Sequence, residues 1–198
     1  MTISGIAKPA LIGIACGAFA TAAVAAPQTY VIDSNHTYPT FEADHMGGVS
    51  FWRGKINSTS GSVTMDKEAR TGSVDVTIDM STIDFGHDGL NTHAKSADMF
   101  DVAQFPNATF TGRLTNFVDG APTAVEGNLT MHGQTHPVTL DIDRFKCIDH
   151  PMMHREVCGA DAMAKIDRSQ WGVNFGQNMG FNMDVTLRIS IEAIVPAS

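Results

Sequence analysis

"GNLTMHGQTHPVTLDID", residues 127–143, admits two readings. His132 and His136 stand four apart, and on a helix both imidazoles would share one face, the arrangement that holds zinc in H-E-x-x-H proteins. On a hairpin a turn lies between them, and Val125, Leu129, Val138, Leu140 and Ile142 share one face of a two-stranded ribbon. The rest of the chain decides which backbone is meant.

The dominant periodicity is two. "SVDVTIDM" (73–80) alternates Val74, Val76, Ile78 and Met80 against Asp75, Thr77 and Asp79, and "NMDVTLRISIEAI" (182–194) alternates Met183, Val185, Leu187, Ile189 and Ile191 against polar neighbours. Each pattern is that of an antiparallel strand with one dry and one wet face. Weaker versions recur at "TFEADH" (40–45), "SGSVTMD" (60–66), "ATFTGRLTNF" (108–117), "VEGNLTM" (125–131), "VTLDID" (138–143) and "DAMAKID" (161–167). About eight strands separated by turn residues predict an all-β fold, a barrel or a sandwich. Residues 127–143 are then a hairpin. Pairing 125 with 142, 127 with 140, 129 with 138 and 131 with 136 keeps the apolar residues on one face and leaves "HGQT" as the loop. This register turns His136 inward beside Met131 and sends His132 to the loop and the other face, so no metal is expected at the pair.

"DGLNTHAKSADMFDVAQF" (88–105) breaks the alternation. Leu90, Ala94 and Ala97 fall at helical spacing, which predicts a short helix over 89–96, a lid on the barrel. Pro106 in "QFPNA" returns the chain to extended geometry.

Residues 1–25 carry one positive charge, Lys8, then the apolar run "ALIGIACGAFA" and Ala23-Val24-Ala25. That order is expected of a secretory signal peptide cut after Ala25, with 26–198 as the mature, periplasmic domain. The apolar run is short of the roughly 20 residues a spanning helix needs, so no stable membrane insertion is expected. The mature part keeps 12 of the 13 basic residues against 21 acidic ones, a formal net charge of −9. Such a chain lacks the basic footprint for nucleic acid or for anionic membrane surfaces. Cys147 and Cys158, the two cysteines left after processing, are read as a disulfide closing "CIDHPMMHREVC".

Other chemistry is thinly signalled. The chain has no G-x-S-x-G, no phosphate-binding glycine loop and no H-E-x-x-H, which argues against an enzyme. Pro151 in "DHPMMH" opposes a helix that would pair His150 with His154. His45 reads as a core residue or a polar group in a pocket. Asp167 and Arg168 read as a structural ion pair or a turn. Eleven methionines and eleven phenylalanines are a large apolar stock, some of it suited to a flexible ligand.

The strings "YVIDSNHTYPTFEADHMGG" (30–48), "HAKSADMFDVAQFPNATF" (93–110), "VEGNLTMHGQTHPVTL" (125–140) and "AKIDRSQWGV" (164–173) together resemble the YceI family of secreted, lipocalin-like, polyisoprenoid-binding proteins. The resemblance implies an eight-stranded antiparallel barrel enclosing a long isoprenoid chain, a polyprenyl lipid or quinone tail, with no further cofactor. Such a barrel is wide enough for one ligand, and each buried CH₂ contributes about 0.8 kcal/mol. By strand parity the expected lining residues are Phe41, Ala43, His45, Val76, Ile78, Met80, Phe110, Leu114, Leu129, Met131, Val138, Leu140, Met183, Val185 and Leu187. A headgroup at the mouth would meet the lid segment with His93, Lys95 and Ser96. The expected role is a periplasmic carrier, as monomer or homodimer. The alternatives are a quinone-linked redox accessory using the pocket histidines, or a ligand-free stress-response barrel.

Overall fold

The computed structural model describes residues 1–2 and 26–197; residues 3–25 of the expected signal peptide lie outside the described residues. Eleven strands follow in order: β1 (Gln28–Ile32), β2 (Tyr38–His45), β3 (Ser50–Ile56), β4 (Thr59–Asp66), β5 (Thr71–Asp79), β6 (Ile83–Asp84), β7 (Asn107–Thr115), β8 (Ala124–Met131), β9 (Gln134–Asp149), β10 (Glu156–Asp167) and β11 (Asp184–Ile194). The helix α1 (Asp88–Lys95) stands between β6 and β7, within a residue of its expected bounds.

These segments make eight staves. β1 and β2 are halves of one bent stave, because both pair with β11: Val31 opposes Ile194, and Ala43 opposes Val185. β3 and β4 form the second, facing β2 and β1 in turn, and β5 and β6 the third, facing β4 and β3. β7 to β11 follow as an antiparallel meander, and the pairing of β1 with β11 closes the ring. The expected eight-stranded barrel is present, and each segment read from the alternation lies on one of its staves. Closure removes the sheet edges that an open sheet would leave unpaired.

The inward face is apolar along every stave, as period-two alternation requires. In β9 that alternation switches phase. Arg144 opposes Asp161 while Ile142 opposes Ala162, so Asp143 is an extra, bulged residue. The inward set therefore passes from Val138, Leu140 and Ile142 to Phe145 and Cys147. Cys147 and Cys158 face each other across β9 and β10 with Cα atoms 4.0 Å apart and are joined as the expected disulfide.

The opening hairpin differs from its expected register by two residues. Val125 pairs with Leu140, Gly127 with Val138, Leu129 with His136, and Met131 with Gln134. Only His132 and Gly133 remain in the turn, both at positive φ (50° and 75°). That is the two-residue type I′ turn, whose twist matches the flanking strands better than a four-residue loop does. A shift of two preserves parity, so His136 still faces inward opposite Leu129. His132 does not go to the other side. Its Nδ1–H donates to the Trp171 carbonyl and the His136 Nε2–H donates to the Gln170 carbonyl, both at 2.9 Å. The two rings thus grip one segment, the 3₁₀ turn Arg168–Trp171.

That turn plugs one side of the barrel end. Trp171 is 1% exposed, its indole N–H donates to the Leu129 carbonyl at 3.0 Å, and its ring meets His136 edge-on. Asp167 and Arg168 form a turn rather than an ion pair. Asp167 accepts from the backbone N–H and the hydroxyl of Ser169, capping the turn. Arg168, 7% exposed, donates to the carbonyls of Val173 and Phe175 at 2.6 and 2.8 Å. Burial pulls its guanidinium below the ordinary value, while Asp167 and Asp44 act in the opposite sense. The residues after the turn are thereby laid across the barrel end beside α1.

Candidate functional site: an apolar cavity with an aromatic collar

A cavity of about 400 Å³ runs inside the barrel, within the usual range for small-molecule pockets. Strand direction separates its ends. The end formed by the start of β1, the β4–β5 and β7–β8 connections and the disulfide loop is closed by Tyr30, Met65, Pro122 and Cys158. Tyr30 is 1% exposed and donates its hydroxyl to Glu156 at 2.6 Å, and Glu156 is also paired with Lys67. Burial, reinforced by Glu156, pushes the Tyr30 phenol well above its ordinary pKa. The phenol therefore stays neutral and its hydroxyl is held out of the cavity.

The opposite end carries α1, the β2–β3 hairpin and the segment after Trp171. Phe85, Leu90, Met99 and Phe100 from the lid region turn inward. The chain doubles back after α1 because the Phe100 and Asp101 N–H groups bond the carbonyls of Ala94 and Ser96. Rings form a collar around this end. His45 lies 5.3 Å from Trp52 and 5.4 Å from Phe181, Trp52 is 6.4 Å from His87, and His93 meets Phe175 edge-on at 4.5 Å between centroids. Asp44 ties the collar together, accepting from the N–H groups of Gly47, Gly48 and Asn182 at 3.0, 2.6 and 2.9 Å. The Asn182 bond first, then those from Gly48 and Gly47, hold its carboxyl below the usual range against the effect of burial.

Fourteen of the fifteen expected wall residues stand on this cavity: Phe41, Ala43, His45, Val76, Ile78, Met80, Phe110, Leu114, Leu129, Met131, Val138, Leu140, Val185 and Leu187. Met183 does not. It is buried, but it precedes β11, and its carbonyl accepts the Arg168 N–H where the plug joins the strand. The lid trio also divides. His93 is on the wall with Leu90, three residues earlier on the same helical face, whereas Lys95 and Ser96 are not. Ser96 instead terminates the helix, donating its hydroxyl to the His93 carbonyl.

Sequence reasoning missed Trp52, Phe175, Phe181 and the inward glycines. Gly54 interrupts the apolar alternation of β3, which hid Trp52. Gly54 and Gly127 are where two rings lie along the wall: a Cβ on Gly54 would come within 2.5 Å of Phe41 Cζ, and one on Gly127 within 2.6 Å of Phe110 Cζ. A glycine at an inward position across from an aromatic is the available signal for such packing.

Several polar side chains on the wall are partnered within the protein. The Thr37 and Thr40 hydroxyls donate to the Glu192 and Arg188 carbonyls, and Tyr30, Asp44 and Arg168 are bonded as above. Among the described residues, two buried polar atoms on the wall have no partner: Thr59 Oγ1 and His93 Nε2. A buried group left in that state costs about 1–3 kcal/mol.

The YceI-like domain profile matches residues 30–193. A UPF0312 protein of Enterobacter sp. strain 638 is 33% identical over 192 residues, covering 94% of this chain and 97% of its own. Protein YceI of Salmonella arizonae is 32% identical over 174 residues, with 87% and 88% covered. Among solved structures, BcnA of Burkholderia cenocepacia superposes with a TM-score of 0.66 at 21% identity, over 82% of this chain and 99% of that one. A polyisoprenoid binding domain from Saccharophagus degradans, implicated in plant cell wall breakdown, superposes with a TM-score of 0.64 at 16% identity, over 85% and 99%. With the profile spanning all eight staves and the relatives matching over nearly their full length, this chain belongs to the YceI-like domain family.

Proposed function

We propose that this protein is a periplasmic carrier that holds one long-chain isoprenoid lipid, of the polyprenyl or quinone type, inside the barrel. The observation that carries this reading is the cavity itself: a long apolar interior, blocked at one end by Tyr30 and Met65 and ringed by aromatics at the other. A long, uncharged hydrocarbon chain is the ligand such a wall rewards. The polyisoprenoid binding of the Saccharophagus degradans domain supports the same class of ligand. Among the described residues no helix is long and apolar enough to cross a membrane, and the disulfide suits an oxidising compartment. The carrier needs no cofactor beyond its cargo and works as a monomer or homodimer. A binding role is favoured over catalysis because His45 and His93 pack against aromatic rings and, although Asp44 lies near His45, its carboxylate is held by backbone N–H groups rather than by an imidazole. Native mass spectrometry of protein purified from its own host tests the reading. One bound prenyl compound per chain is expected, and uniformly empty protein would favour the ligand-free barrel.

A further inference from the structure

We propose that His93 is the headgroup anchor, and that the cargo ends in an uncharged oxygen, a carbonyl or hydroxyl, bonded to His93 Nε2. The proposal rests on the carrier reading and narrows it. His93 projects from the lid helix onto the cavity wall beside Leu90, and its ring is set edge-on against Phe175. Nε2 is the collar-ring nitrogen that is both buried and without a partner among the described residues, so its hydrogen bond is unused. The other unpartnered wall atom, Thr59 Oγ1, belongs to a freely rotating hydroxyl at the start of β4. A diphosphate head is a poor match for this site. Arg168 is the cationic side chain on the wall, and its Nη atoms are already given to the Val173 and Phe175 carbonyls. Asp44 adds negative charge to the same wall, and Lys95 stands off it. A neutral oxygen needs one hydrogen bond and no counter-ion.

The test uses quenching of tryptophan fluorescence, since Trp52 is on the wall, by a benzoquinone carrying four isoprene units. Geranylgeraniol, geranylgeranyl diphosphate and squalene are then measured as competitors. The wild-type protein is expected to bind quinone or prenol more tightly than squalene, and the diphosphate more weakly than the prenol. His93→Phe should weaken the neutral-headed ligands about tenfold, one hydrogen bond's worth, and leave squalene unchanged; His93→Gln should recover part of the loss. Retained squalene binding certifies that the variant is folded. Where His93→Phe does not fold, the ¹⁵N resonance of Nε2 in wild-type protein supplies the answer: it moves on adding quinone if the bond forms, and a stationary resonance overturns the proposal. Unaltered quinone affinity in a folded His93→Phe also overturns it while leaving the carrier reading intact. Wild-type protein that binds neither quinone nor squalene overturns both.

Discussion

The Trp171 indole N–H donates to the Leu129 carbonyl across the barrel end, joining a 3₁₀ turn to the C-terminal part of β8 at 3.0 Å. This buried bond partners the indole N–H and ties the turn to the backbone of the barrel wall. His132 and His136 secure the same turn from the same β8–β9 hairpin, donating to the carbonyls of Trp171 and Gln170. The plug therefore stabilises the barrel as much as it closes it.

Trp171→Phe should lower stability by about 1–3 kcal/mol, from the loss of a buried hydrogen bond and a smaller ring. The denaturant midpoint measures it, and the slope is expected to stay the same because the unfolded surface is unaltered. A midpoint equal to wild type would mean that the plug is incidental to the fold.

Asp44 makes a prediction about acid. Its folded carboxyl titrates below the ordinary carboxylate range because it accepts N–H groups from Asn182, Gly48 and Gly47. A depressed carboxyl contributes stability that is present above the unfolded pKa and is lost as pH falls through the folded one. Asp44→Asn should therefore be less stable than wild type at neutral pH, and the gap should shrink as the pH is lowered below about 4. Thermal midpoints of the two proteins from neutral pH to pH 3 give the comparison. Parallel curves would show that the carboxylate charge does not hold the collar.

Much of this was legible in the sequence, for reasons that particular residues make plain. The alternation in 73–80 and 182–194 survives because those strands have one side in the barrel and one in water. The lid was visible as the stretch where that period stops. The hairpin register was wrong by two because apolar pairing alone cannot distinguish shifts that preserve parity; the His132-Gly133 turn does so, and its requirement for two positive φ values was the overlooked clue. Lys95 is two residues from His93 in sequence, yet helical geometry turns it off the wall. Asp44 accepts from Asn182, far along the chain, and Arg168 donates to carbonyls five and seven residues on, contacts that no strand or helix periodicity records.

The disulfide joins residues eleven apart in adjacent strands. Cross-linking a short loop restrains the unfolded chain, and its loss is expected to cost about 2–4 kcal/mol. Protein lacking residues 1–25 should show no titratable thiol when denatured without reductant and two after reduction. The Cys147→Ala, Cys158→Ala double variant should unfold at correspondingly lower denaturant. Two free thiols in the unreduced protein would disprove the pairing.

Ala162 offers a way to separate the cavity from the fold. It stands on the inner wall of β10 between Ile142 and Ile189, beside the bulge that re-phases β9. In a solid core Ala162→Phe would overpack and cost about 1–3 kcal/mol. Here the new ring has a void of about 400 Å³ to enter, and the apolar area it removes from water works in the opposite direction. The expected result is a denaturant midpoint equal to or above that of wild type, together with loss of most co-purifying prenyl lipid in native mass spectra. A folded Ala162→Phe protein that retains its full complement of lipid would place the cargo outside the barrel, and with it the whole carrier reading would fail.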